Sequence, residues 1–144
     1  MMRTSVRLAF AVALLSLTGC QAWQGPNCTD MGAESGVTVT WRPADFPVGA
    51  RLRLCADEEC RERAAAPAED SLALLDVPLP GEDGEREVAL RFSVVDPAGG
   101  GRVVREFSGR FALRRVTPNG EGCEPTAWRA DVRADPRAGL VPEG

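Results

Sequence analysis

The sequence predicts an all-β sandwich on three observations. Seven or eight short runs alternate apolar and polar residues with the two-residue period of a strand. Stretches rich in Gly and Pro separate these runs at short intervals. No internal repeat or low-complexity block interrupts the pattern, so the runs read as parts of one domain. Two packed sheets are the favoured closure, with a small β-barrel as the alternative.

Residues 28–35 (CTDMGAES) lack periodicity and read as loop or an irregular edge. Residues 36–41 (GVTVTW) form the first clear strand, with Val37, Val39 and Trp41 on one face and Thr38 and Thr40 on the other. Pro43, Pro47 and Gly49 make residues 42–49 a connection. In residues 50–55 (ARLRLC), Leu52 and Leu54 point inward and Arg51, Arg53 and Cys55 outward. Residues 57–66 admit two readings. A helical turn would set Glu59 and Arg63 at i, i+4. A tight connection between two strands, with Cys60 starting the second, suits the flanking period better.

Residues 64–70 read as an Ala/Pro loop. In residues 71–79 (SLALLDVPL) the parity changes between Leu74 and Leu75, which predicts a bulge. Pro78 and Pro80 confine the end of that segment to a sheet edge. Residues 81–84 (GEDG) are a turn. Residues 87–95 (EVALRFSVV) are the strongest strand, with Val88, Leu90, Phe92 and Val94 on one face. Residues 96–101 (DPAGGG) have the composition of a hairpin turn. Residues 102–116 keep Val103, Phe107, Phe111 and Leu113 on one parity. Gly109 among them reads as a bend where the strand crosses between sheets. Residues 117–125 (TPNGEGCEP) form a long turn carrying Cys123. Residues 126–135 (TAWRADVRAD) turn Trp128, Ala130, Val132 and Ala134 inward. They set Arg129, Asp131, Arg133 and Asp135 in alternating sign on the outer face. Residues 139–144 read as a short tail.

Ahead of the domain, Arg3 and Arg7 precede an apolar run at residues 8–17 (LAFAVALLSL), and no acid occurs before Cys20. The run is shorter than the roughly 20 apolar residues that cross a bilayer core. It reads as a cleaved leader rather than a membrane span. It ends in Leu17-Thr18-Gly19-Cys20. This stretch resembles the lipobox of bacterial lipoproteins, in which a leucine-like residue and two small residues come before a cysteine. The resemblance implies a signal peptide at residues 1–19 and lipid on Cys20, the first residue of the mature chain. It implies an extracytoplasmic protein anchored to the cell membrane by that lipid. Residues 20–27 then form a lipidated tether with a Gly25-Pro26 break, in which Trp23 reads as a linker residue, with a place at the membrane interface as the alternative. The sandwich occupies residues 28–138.

Removing the first 19 of 144 residues leaves 125, the size of one domain. Two of the 17 arginines lie in the leader and none of the 21 acids does, so the mature charge is −6. That balance argues against nucleic acid and against a polybasic membrane patch. Every basic residue is Arg, scattered rather than clustered as an anion site needs. The chain has no His, Lys or Tyr. Ser-His and Cys-His nucleophile pairs, imidazole metal ligands, Schiff bases and phenolic acids are therefore excluded. An enzyme would have to run on carboxylates and Arg, as glycoside hydrolases can. A non-catalytic domain without cofactor is the expectation.

An oxidising compartment, implied by the lipobox resemblance, favours disulfides over zinc for the four remaining cysteines. Their spacings also lack a pair of CxxC knuckles. Cys55 and Cys60 flank a short polar turn and are expected to pair, leaving Cys28 to pair with Cys123. Trp41 and Trp128 lie on inward parities and read as core rather than as a carbohydrate platform. Asp57, Glu58, Glu59, Glu82 and Asp83 lack the alternating ligands of a calcium loop and read as solvated turns. The face formed by Arg129, Asp131, Arg133 and Asp135 is the candidate ligand or partner contact. Residues 28–135 as a whole resemble an immunoglobulin-like or fibronectin type III-like sandwich, by pattern rather than by a signature. The Cys…Trp…Cys spacing and the tyrosine corner of immunoglobulin domains are absent. The resemblance implies a module that offers loops and strand edges to an envelope protein or a polysaccharide.

Overall fold

The computed structural model describes residues 27–98 and 100–144. The leader, the 17–20 stretch with Cys20, and Trp23 lie outside the described residues. In chain order the strands are β1 (Gly36–Trp41), β2 (Arg51–Ala56), β3 (Glu59–Ala64), β4 (Ala73–Pro78) and β5 (Glu87–Val95). They continue as β6 (Val103–Ala112), β7 (Arg114–Val116), β8 (Ala127–Asp135) and β9 (Gly139–Pro142). One sheet has the order β4-β1-β8-β7, with β9 also paired to β8; the other has the order β3-β2-β5-β6. Neighbours run antiparallel except β1 and β8, which are parallel.

The two sheets share one core. Val37, Val39, Trp41 and Val132 from the first meet Leu52, Leu54, Leu90 and Phe92 from the second. Each large apolar side chain so buried contributes about 1.5–3 kcal/mol before entropy is counted. Trp41 and Phe92 lie 5.6 Å apart, centroid to centroid, and Phe46 meets Phe92 edge-on at 5.8 Å. Trp41 is 0 % exposed, and its indole N–H finds no acceptor among the described residues. It therefore acts through burial, against the cost of an unpaired donor.

The hairpin reading of residues 57–66 is the one the fold adopts. Ala56 faces Glu59 across the two-residue turn Asp57-Glu58. Asp57 takes a φ of 51° there, and its backbone N–H donates to Ala89 O at 2.8 Å. Its carboxylate accepts in turn from Ala89 N at 2.9 Å and from Arg86 Nη1 at 2.7 Å. The turn is thus clamped to the start of β5.

Four expectations are corrected. No bulge separates Leu74 from Leu75, because β1 and β4 pair in unbroken register from Gly36 to Trp41. Ala73 is the inward residue opposite Trp41, where a small side chain leaves room for the indole. Leu72 and Leu74 consequently face solvent, at 57 % and 42 % exposure. The bulge lies in β6 instead: Val95 faces Val103 and Val94 faces Arg105, leaving Val104 over. Val103 is thereby turned onto the outer face, opposite in sense to Phe107.

Gly109 is not the crossing point. It lies within β6, and a Cβ there would come within 2.8 Å of the Phe111 ring, so the glycine makes room for that ring. The chain crosses between sheets at Leu113, which is buried and whose N–H donates to Arg86 O at 2.8 Å. The fourth correction concerns residues 139–144, where Gly139–Pro142 form β9 rather than a tail.

The segment entering the first sheet is strapped to the loop before β8. Cys28 and Cys123 are bonded, with Cα atoms 5.7 Å apart. Asn119, 2 % exposed, sits beside them. Its Oδ1 accepts from Thr29 Oγ1 at 2.9 Å and Met31 N at 2.7 Å. Its Nδ2 donates to Met31 O at 2.8 Å and Glu124 O at 3.1 Å. Every polar valence of this buried amide is used, as burial requires.

Candidate functional site

Two outward faces carry the polar chemistry. On the first sheet, the register of β4, β1 and β8 sets Asp76, Thr38 and Asp131 in one row across three strands. Arg129 reaches over that row. Its Nη1 donates to Glu34 O at 3.0 Å and its Nη2 to Thr38 Oγ1. The same guanidinium stands 3.5 Å from Asp76 Oδ1 and 4.0 Å from Asp131 Oδ1. Thr38 Oγ1 in turn donates to Asp76 Oδ1 at 2.6 Å.

The four candidate contact residues of β8 therefore part company. Arg129 is spent on tying β8 to β1 and β4. Asp135 closes the β8–β9 turn, where its Oδ1 accepts from Arg137 N at 2.8 Å and Ala138 N at 2.9 Å. The Ala138 and Arg137 N–H groups hold its carboxyl below the ordinary value. Asp131 and Arg133 remain exposed and outward. Arg133 makes no ion pair among the described residues.

On the second sheet the register builds a cleft of about 440 Å³. Cys55 faces Cys60 on one side and Arg91 on the other. Arg53 faces Ser93, which faces Glu106. The β6 bulge adds Val103 to the wall. Cys55 and Cys60 are bonded along the floor, with Cα atoms 4.0 Å apart. Cys55 has the outward parity expected of it but is only 2 % exposed, whereas Cys60 is exposed.

Arg91 Nη2 lies 4.0 Å from Cys55 Sγ, and its Nε lies 4.0 Å from Glu106 Oε2. Ser93 Oγ donates to the same Glu106 oxygen at 3.0 Å. Glu62 bonds both Arg51 and Arg53, the latter at 2.8 Å. The Arg53 hydrogen bond is the chief cause that holds the Glu62 carboxyl below its ordinary value. Sequence reasoning did not assemble this cleft. Its signal was present in the outward parities of β2 and β5, which become neighbours only in the folded sheet.

Trp41 offers no stacking platform, being wholly buried, and Trp128 is half-buried against the core. Asp57 and Glu82 both bind Arg86, at 2.7 and 2.6 Å, so these turn acids act as ion-pair partners. Among the described residues no three Cys, Asp or Glu side chains stand together as a metal set. No protein-family model, curated protein or solved structure matches this chain.

Proposed function

We propose that this protein is a bacterial envelope lipoprotein, tethered through lipid on Cys20, whose sandwich is a non-catalytic interaction module. The observation that carries the reading is the accounting of its five cysteines. Four are paired in two disulfides, and the one left over stands at the end of LTGC. Disulfides suit an oxidising compartment, which is where a lipobox would send the chain. The strap at Cys28 also begins only eight positions after Cys20, so the domain would sit close to the membrane surface.

An immunoglobulin-like identity is supported by topology. The order β3-β2-β5-β6 matches strands C′, C, F and G, and the neighbours β1 and β4 match B and E. Trp41 and Phe92 touch across the two strands that the immunoglobulin disulfide joins. β8 departs from that plan. It lies parallel to β1, in the place beside B that strand A fills. Such a module meets partners through loops and outward faces, and here Asp131 and Arg133 are the residues of β8 left available for contact. The non-catalytic reading rests on the chain's lack of His, Lys and Tyr. Asp57, Glu62 and Asp135 are taken up by Arg86, by Arg51 and Arg53, and by the N–H groups of the β8–β9 turn.

Metabolic labelling with an alkyne fatty acid tests the anchor. Wild type should be tagged and retained in membranes, and Cys20→Ser should be neither. Equal labelling of both, or a mature N-terminus other than Cys20, would sink the reading. In-cell crosslinking of the tethered protein would then identify the envelope protein or polysaccharide it meets.

A further inference from the structure

We propose that Cys55–Cys60 is a thiol-exchange site, entered by an external thiolate at Cys60 and left at Cys55 beside Arg91. The site stands independently of the lipid anchor, since its chemistry is contained in β2, β3 and β5. Access comes first. Cys60 is exposed on β3, an edge strand, and both cysteines line the 440 Å³ cleft. An incoming thiol therefore reaches Cys60 without opening the core.

The leaving group is assisted. Cys55 is nearly buried, and the Arg91 guanidinium stands 4.0 Å from its sulfur. Arg53 lines the same cleft. A cationic neighbour stabilises a thiolate and lowers its pKa, and a thiol of lower pKa leaves faster. The opened cysteines are also retained in place. Cys55 and Cys60 form one of six facing pairs between β2 and β3. The ladder keeps them opposed when the bond is open, so re-closure finds its partner in place.

A thiolate attacks Cys60 Sγ, the Cys55–Cys60 bond breaks, and Cys55 departs as thiolate while a mixed disulfide forms on Cys60. With a monothiol, Cys55 attacks back on Cys60 Sγ and expels it. With a dithiol, the second thiolate of the reagent attacks the reagent's own sulfur in the mixed disulfide. The dithiol is oxidised to its disulfide and Cys60 is released. Two electrons and two protons pass from the dithiol to the two cysteines.

The experiment exposes the full chain to dilute dithiothreitol for graded times, traps free thiols by alkylation and maps them by peptide mass. Cys55 and Cys60 should open about tenfold faster than Cys28 and Cys123, given entry to Cys60 from the cleft together with the assisted leaving group. Equal rates, or earlier opening of Cys28–Cys123, would overturn the proposal. With glutathione the adduct is expected on Cys60; finding it on Cys55 would overturn the direction of exchange. Neither measurement needs a variant. Arg91→Gln should slow opening by about threefold, because the leaving thiolate loses its cationic neighbour. Arg91→Lys should retain the rate, and Cys28–Cys123 should be unaffected by either. An Arg91→Gln protein that opens as fast as wild type would remove Arg91 from the site.

Discussion

Cys28–Cys123 joins residues 95 positions apart, while Cys55–Cys60 joins residues 5 apart. The first lies beside a buried amide that holds the same two segments with three hydrogen bonds. The second lies between strands that a ladder already holds in register. The contrast separates two uses of one covalent bond. A long closure removes much freedom from the unfolded chain, whereas a short one in a hairpin removes little. The long bond is therefore placed to keep the fold, and the short bond is free to be chemically active.

Removing the bonds one at a time should give the largest effect. Cys28→Ser with Cys123→Ser is expected to lose about 4–5 kcal/mol, against about 2 for Cys55→Ser with Cys60→Ser. Urea unfolding of both double variants measures the gap, and equal losses would abolish the comparison. Asn119→Ala comes next. It should cost about 2 kcal/mol, because Met31 and Glu124 lose their buried partner. That cost should shrink in the background lacking Cys28–Cys123, since amide and disulfide hold the same strap. Strictly additive losses would show that the two act separately.

The smallest effect belongs to acid. Burial alone would raise the Asp57 carboxyl, but the Ala89 N–H and Arg86 together hold it below its ordinary value. Glu62, bonded to Arg53 and Arg51, is lowered as well. Carboxyls lowered by folding stabilise the native state above their unfolded pKa, about 4. That contribution is lost as pH falls through the lower folded value. Stability should therefore decline below about pH 4. In Asp57→Asn the decline should be shallower than in wild type. Urea midpoints measured from pH 7 downward check both, and a midpoint that rises on acidification would contradict the clamp.

Period-two alternation made β1, β2, β5 and β8 legible, because each turns an apolar face to the core and a mostly polar face outward. The parity of a strand could be read only where one face was uniformly apolar. Leu72 and Leu74 broke that condition: they are large and apolar yet point outward, while small Ala73 takes the place opposite Trp41. Val103 misled for a different reason, because a bulge one residue later reverses its side. The polar sites were hidden by distance along the chain. Asn119 reads as a turn residue until residues 29–31 are laid beside it. The cleft exists only once Cys55 and Arg91 face each other across β2 and β5.

The parallel pairing of β1 with β8 orders events in time. Gly36 meets Arg129, so the first strand of the domain waits for nearly its last before one of its two edges is filled. A chain emerging N-terminus first offers that open edge throughout its own delivery. Such distant pairings form late and leave unpaired strands prone to sticking. Chains truncated just before Ala127 should therefore be caught by chaperones or aggregate, although they already contain every strand of the second sheet.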